Sequence, residues 1–471
     1  MFFRPVTIFA PQRRLSAIVA CALLLPCTSL LRPLHADDWP QWLGPRRDGV
    51  WRETGLVEKL PAEGLKVRWR QKIGGGYSGP AVANGRVYVM DRQLAKGTAN
   101  PQNAFSRAEI PGTERVLCFN EADGKPLWAH EYDCTYTVSY GSGPRVTPTV
   151  DGGKVYTVGA EGNLVCLDAE KGSVIWARDF KTDFGIKTPM WGFAGHPLVD
   201  GNKVICLAGG NGSVAVAFDK NSGKELWRAL SAKEPGYAPP MIYEFAGKRQ
   251  LIIWHPEAVN GLDPETGKVF WTHALEPSVR SGMSIPTPRQ VGDHLFLTSF
   301  YNGSLLLKIN SGPEPTVIWA SQKVSEKDTD GLHSVMATPL IENGYIYGPC
   351  SYGQFRCLKF ENGERLWETF APTSGKSERW GHAFIVKHPD VGTPLGERDA
   401  GHRSFIFSEK GDLIIAKLTP EKYEEISRVH LIDADNRDPG RMVVWSHPAF
   451  ANRSIYARND SEIICASLAA K

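Results

Sequence analysis

Aromatic residues, histidines and an arginine recur just ahead of short apolar runs in this chain of 471 residues. They fall in Tyr77-Ser78-Gly79, Tyr140 to Arg145, Trp191 to His196, Tyr237, Ser281-Gly-Met283, His333-Ser334, Trp380-Gly-His382 and Trp445-Ser-His447. Tryptophan and tyrosine faces stack flat ligands, and Arg145 is suited to pair with an anion. If His196, His333, His382 and His447 converged they would make a metal site. The plainer role for all these residues is to plug a channel mouth and bond loop backbone.

Other chemistries find no motif. Gly-x-Ser-x-Gly, His-Glu-x-x-His and paired-carboxylate patterns are missing, so no catalytic residue is assigned. The nine cysteines form no CxxC, no CxxCH and no adjacent pair, which speaks against zinc, c-type haem and thioredoxin chemistry. Gly74-Gly75-Gly76 and Gly209-Gly210-Asn211-Gly212 lack a following Lys-Ser/Thr and read as turns. Asp433, Asp435 and Asp438 lack the remaining ligands of a calcium loop and are expected to form a solvated loop.

The elements that must position these residues come from a repeat. A glycine, three residues, then tryptophan recurs as Gly124–Trp128, Gly172–Trp176, Gly223–Trp227, Gly267–Trp271 and Gly363–Trp367. Eight residues before these tryptophans stand Asn120, Asp168, Asp219, Asp263 and Lys359, and Trp319 ends a looser copy. The intervals from Trp128 to Trp367 are 48, 51, 44, 48 and 48 residues. Each unit divides into four short strands separated by Gly, Asp and Asn turns, as at Lys154–Val158 and Leu164–Leu167. A four-stranded unit of this length is a propeller blade, so the fold class is an all-β propeller.

Six blades end at Trp128, Trp176, Trp227, Trp271, Trp319 and Trp367, and a seventh starts near Trp380 and lacks its tryptophan at about Glu425-Ile426-Ser427. The tail supplies only three strands, and Leu65–Arg70, with Trp69, reads as the fourth. Joining them makes eight blades and removes the exposed sheet edges of an open array. Seven blades is the alternative, if the seventh region is an insertion. The repeated tryptophans (Trp69 and the six above) are expected to pack on a neighbouring blade with the indole N–H on a backbone group. Cys118, Cys166, Cys357 and Cys465 share one third-strand position, and Cys350 is a conceivable partner for Cys357. Asp91–Glu114 and Lys387–His402 read as exposed excursions.

Residues 1–36 read as a signal peptide, with Arg13-Arg14, an apolar Leu15–Leu25 and a cleavage point near Ala36. This places the mature chain in the periplasm or outside the cell, with residues 37–64 as an extension and 65–471 as the propeller. The formal charge of +3 is carried by the leader. Its four arginines and no acid leave the remainder at −1, which excludes an electrostatic nucleic-acid binder. No later segment is apolar for long enough to span a bilayer.

The repeat over residues 65–471 resembles the pyrroloquinoline quinone (PQQ)-like β-propeller superfamily, and Trp39-Pro-Gln-Trp-Leu-Gly-Pro-Arg-Arg-Asp-Gly49 looks like the leader of its secreted bacterial members. The resemblance implies one of two roles. One is a quinoprotein alcohol dehydrogenase with PQQ and calcium at the axis. The other is a non-enzymatic scaffold like the propeller lipoprotein of the outer-membrane β-barrel assembly machinery. The chain lacks the vicinal Cys-Cys of the dehydrogenases, and size and blade count favour the scaffold. The expectation is therefore a monomeric propeller that binds an envelope protein, a peptide or a small molecule and needs no cofactor. A glycan-binding propeller is a further alternative. The candidate axial ligand residues are Tyr77, Arg145, Trp191, His196, Tyr237, His333, Trp380, His382, Trp445 and His447.

Overall fold

A computed structural model describes residues 37–275, 283–389 and 403–470. Eight four-stranded antiparallel sheets form an eight-bladed β-propeller. In chain order the first seven blades span 81–133, 149–179, 198–229, 241–274, 289–320, 340–369 and 383–430. The eighth combines Ala449–Ala451, Ser454–Arg458 and Glu462–Ser467 with the N-terminal strand Val67–Lys72. Trp69 stands opposite Cys465 across that seam, so the first strand closes the ring on the last. Residues 383–430 form a complete blade, which sets aside the seven-blade alternative.

The repeated tryptophans and glycines lock neighbouring blades together. Each tryptophan sits beside a bulge in an outer strand, opposite Cys118, Cys166, Ala217, Gly261, Leu306, Cys357 or Cys465. Five of them meet a glycine of the next blade. A Cβ at Gly172 would stand 2.5 Å from the Trp128 ring, and Gly124, Gly223, Gly267 and Gly363 meet Trp69, Trp176, Trp227 and Trp319 at 2.6 Å. These glycines also have φ near +70°, where a side chain is disfavoured twice over. The indole N–H then donates to a carbonyl of that next blade: Trp69 to Glu121 (2.8 Å), Trp176 to Lys220 (3.1 Å), Trp319 to Phe360 (2.8 Å) and Trp367 to Thr419 (2.9 Å). Trp271 differs, because the fifth blade carries the loose copy of the motif. Its N–H turns to Gln250 Oε1 of its own blade at 2.7 Å.

Ring closure explains the tryptophan missing from the seventh blade. The lock needs the turn between third and fourth strands of the following blade. In the eighth blade that turn does not exist, because its fourth strand comes from the other end of the chain. Ser427 occupies the tryptophan position opposite Ile415, and its hydroxyl accepts the Leu60 backbone N–H at 2.9 Å. Buried Leu60 and Leu468 join the core there.

Residues 37–64 are woven across the ring. Trp39 bridges to Val82 of the first blade, and Val150 of the second donates to Pro40. Buried Arg47 donates to the carbonyls of Pro197 (3.1 Å) and Pro240 (3.3 Å), which lead into the third and fourth blades. The Trp51 N–H bonds Lys387 of the seventh blade, and Val57 bonds Leu468 of the eighth. Trp39 and Trp51 are each 1% exposed and belong to the largest core cluster.

Within the Asp91–Glu114 excursion the two ends are paired strand, with Leu94 opposite Gly112, and the greater part, 95–111, loops out. Lys387–His402 continues the seventh blade's inner strand through His388, and 390–402 lie outside the described residues. The signal-peptide reading of 1–36 and Ser281-Gly282 also lie outside them. Cys350 and Cys357 are both free, because Cys357 faces Tyr347 across the strands. Among the described residues no helix is long and apolar enough to cross a membrane.

Candidate axial ligand site

Every lead-in loop ends at an innermost strand, so ring closure gathers eight distant stretches of sequence around one axis. There they line a cavity of about 150 Å³. Of the ten candidate residues, Tyr77, Arg145, Trp191, His196, Tyr237, Trp380, Trp445 and His447 line it. His333 and His382 do not. His333 is fully buried, with Nδ1 on the Phe300 carbonyl at 3.2 Å. His382 bonds the Trp380 carbonyl and packs its ring against Phe384 and Trp445, behind the wall.

The depth of each residue follows from its distance to its strand. His196 and His447 stand two residues before Leu198 and Ala449, where the inner strands begin, and form the deep end. Trp42, from the N-terminal segment, closes this end. It stacks on His196 at 4.1 Å between centroids and 11° between planes, and meets His447 edge-on at 4.9 Å. Its N–H donates to Thr287 Oγ1 at 2.9 Å. Thr147 N–H donates to His196 Nδ1 at 2.9 Å, which leaves the neutral ring its proton on Nε2. Burial pushes the His196 imidazolium well down, pushes His447 down to about 4, and pushes His382 down to about 3. Both lining histidines are thus neutral near pH 7.

The mouth is an aromatic cluster. Tyr140, Trp380 and Trp445 meet with centroids 5.7, 5.8 and 6.3 Å apart. Tyr140 and Trp380 both have positive φ, 54° and 61°, which is uncommon for bulky residues and is held by surrounding bonds. The Tyr140 N–H donates to Ala104 at 2.6 Å and the Trp380 N–H to Ser351 at 2.8 Å. Phe105, from the 95–111 loop, covers the pair at 5.3 and 5.6 Å.

Charge is arranged behind this wall. The Tyr140 hydroxyl donates to Asp438 at 3.0 Å and the Trp445 N–H to Glu409 at 3.3 Å. Arg441 binds both carboxylates, at 3.3 and 3.2 Å. Burial nonetheless pushes both acids up. Asp438 and half-buried Asp435 correct the expectation of a solvated acidic loop. Asp438 is 5% exposed, and Asp435 accepts the Asp460 N–H at 2.7 Å. Arg145 is the one charged residue in the lining. It donates to the carbonyls of Ser139 (2.8 Å), Tyr140 (2.7 Å) and Gly143, and lies 5.2 Å over the Tyr77 ring.

Sequence reasoning passed over Trp42, Ala194, Ile285, Val335, Met336 and Phe384, and did not single out Tyr140 and Met283 within their loops. The signal for Trp42 was available. Two tryptophans among Pro, Gly and Arg in a segment outside the repeat need a place to bury. Among the described residues no group of three His, Cys, Asp or Glu is placed to hold a metal. The lining has no Asp, Glu or Asn to bind calcium or act as a base, and the described cysteines are free. These residues do not fit calcium-bound PQQ.

A family model described as "Outer membrane protein assembly factor BamB" matches residues 112–374, more than half of the chain. A protein of that name from Burkholderia pseudomallei is 26% identical over 256 residues, 52% of this chain and 61% of that one. The match thus covers less than two thirds of the relative's length. The crystal structure of BamB from Moraxella catarrhalis aligns with a TM-score of 0.53 at 16% identity, over 86% of this chain and 99% of that chain. A europium-containing methanol dehydrogenase aligns at 0.57 and 13% identity, over 91% and 89%. At such identities the two structures establish the shared fold alone.

Proposed function

The chain belongs to the PQQ-like propeller family of outer membrane protein assembly factors, and from that premise we propose that it is a non-enzymatic binding scaffold of the bacterial envelope. It works on the periplasmic side in outer-membrane protein assembly, and the axial bowl is its ligand site. The observation that carries this reading is the make-up of the bowl. Six Trp and Tyr residues from the lead-in loops, with Trp42 beneath them, surround one arginine and no carboxylate. Such a surface binds through ring contacts and one charge, and it offers no ionised base for proton abstraction. The two lining histidines are held neutral but are stacked on Trp42 or bonded to backbone, which suits support of the site.

Capture from envelope extracts tests the role. The full chain is expected to retain components of the outer-membrane assembly machinery, and a Trp191→Ala/Trp380→Ala variant of unchanged circular dichroism to lose them. Retention of none of them by the wild-type chain would contradict the assembly role.

A further inference from the structure

The bowl carries a more specific ligand signature than its aromatic character alone, and reading it rests on the bowl being the ligand site. Size comes first. An apolar cavity of about 150 Å³ takes one benzene-sized ring, and the axial cavity has that volume. Shape comes second. Trp191 and Tyr237 meet edge-to-face at 5.7 Å, and Trp380 meets Tyr140 the same way, so the wall offers ring faces and edges for a flat group.

Polarity comes third. Trp380 is 7% exposed, and its indole N–H has no hydrogen-bond partner within the protein. A buried donor left unpaired is costly unless something else accepts from it. Arg145 adds donors. Its bonds to the Ser139, Tyr140 and Gly143 carbonyls engage Nη1 and Nη2, so Nε–H takes no part in them. Charge comes last. Arg145 is the one charged side chain of the lining, while Asp438 and Glu409 lie behind the wall on Arg441 and Glu234, pushed up by burial, stands beside Tyr237.

We propose that the axial bowl binds a single flat ring bearing one carboxylate, with the ring among Trp191, Tyr237 and Trp380 and the carboxylate on Arg145. A small aromatic acid satisfies each feature at once: one ring for the volume, one negative charge for one guanidinium, and an acceptor oxygen for the orphaned Trp380 N–H. A tricyclic tricarboxylate such as PQQ brings three negative charges to a lining that holds one guanidinium.

The test is calorimetric titration of the chain with benzoate and with benzamide, which has nearly the same shape and no charge. Benzoate is expected to bind at least about tenfold tighter, because a charge-assisted hydrogen bond is at stake. Arg145→Gln is expected to abolish that preference, with Arg145→Lys restoring part of it. Since Arg145 also ties down loop carbonyls, the wild-type comparison decides the matter even if that variant misfolds. Equal binding of the two probes would overturn the carboxylate assignment and leave the bowl as a ligand site. Binding of neither at millimolar concentration would overturn both.

Discussion

At the scale of single residues, stability rests on a contact made between repeats. Trp227 lies on Gly267 of the next blade, not on Gly223 of its own motif. Trp227→Ala is expected to cost about 3–5 kcal/mol in urea unfolding. Gly267→Ala should cost about 3 kcal/mol, from a left-handed φ and a clash with the indole. Both changes break one contact, so the double variant should fall short of the sum by about 2 kcal/mol. Strict additivity would contradict the lock. A pH effect belongs at the same scale. His447 takes up a proton near 6.5 when unfolded and only near 4 when folded. Between those values the unfolded state binds more protons, so this histidine's contribution to stability is full above 6.5 and is lost as pH falls toward 4. His447→Gln is expected to flatten the fall by up to about 1.4 kcal/mol per pH unit. An unchanged slope would show that His447 titrates normally. The sequence showed the tryptophans and glycines but not which tryptophan meets which glycine. A spacing of 48 residues is the same whether a lock closes within a blade or across to the next.

At the scale of elements, two segments outside the repeat shape the site. Residues 37–64 bring Trp42 beneath the bowl, and the 95–111 loop brings Phe105 over its mouth. Excising 97–108 should keep the hairpin, because Leu94 still pairs with Gly112. The far-ultraviolet circular dichroism is expected to stay the same while tryptophan emission shifts to the red, as Trp380 loses Phe105. An unshifted spectrum would mean that the loop does not cover the mouth. The strands were legible from alternation and turn residues to within a residue or two, as at Lys154–Val158 and Ser454–Arg458. The two segments were not, because neither repeats and their positions are fixed by long-range contacts such as Arg47 to Pro240. His382 shows the limit of ring symmetry. It occupies a lead-in loop like its neighbours, yet Trp380, two residues earlier, takes the cavity and leaves it behind the wall.

At the scale of the whole molecule, closure by the N-terminal strand settles three features together. It completes the eighth blade, removes the turn that a seventh-blade tryptophan would need, and draws eight loops to one axis. The ring was legible because five similar intervals and a three-strand tail favoured closure by the N-terminal strand, and the complete sheet at 383–430 then decided eight blades against seven. The chemistry of the axis was less so, since a binding scaffold and a quinoprotein share the same blades. What separates them is the lining, with Arg145 and no carboxylate. The most direct test is to incubate the full chain with PQQ and Ca²⁺, remove unbound cofactor, and measure quinone absorbance and dye-linked alcohol oxidation. The expected result is neither retained quinone nor turnover. Stoichiometric quinone with alcohol-dependent dye reduction would contradict the scaffold reading.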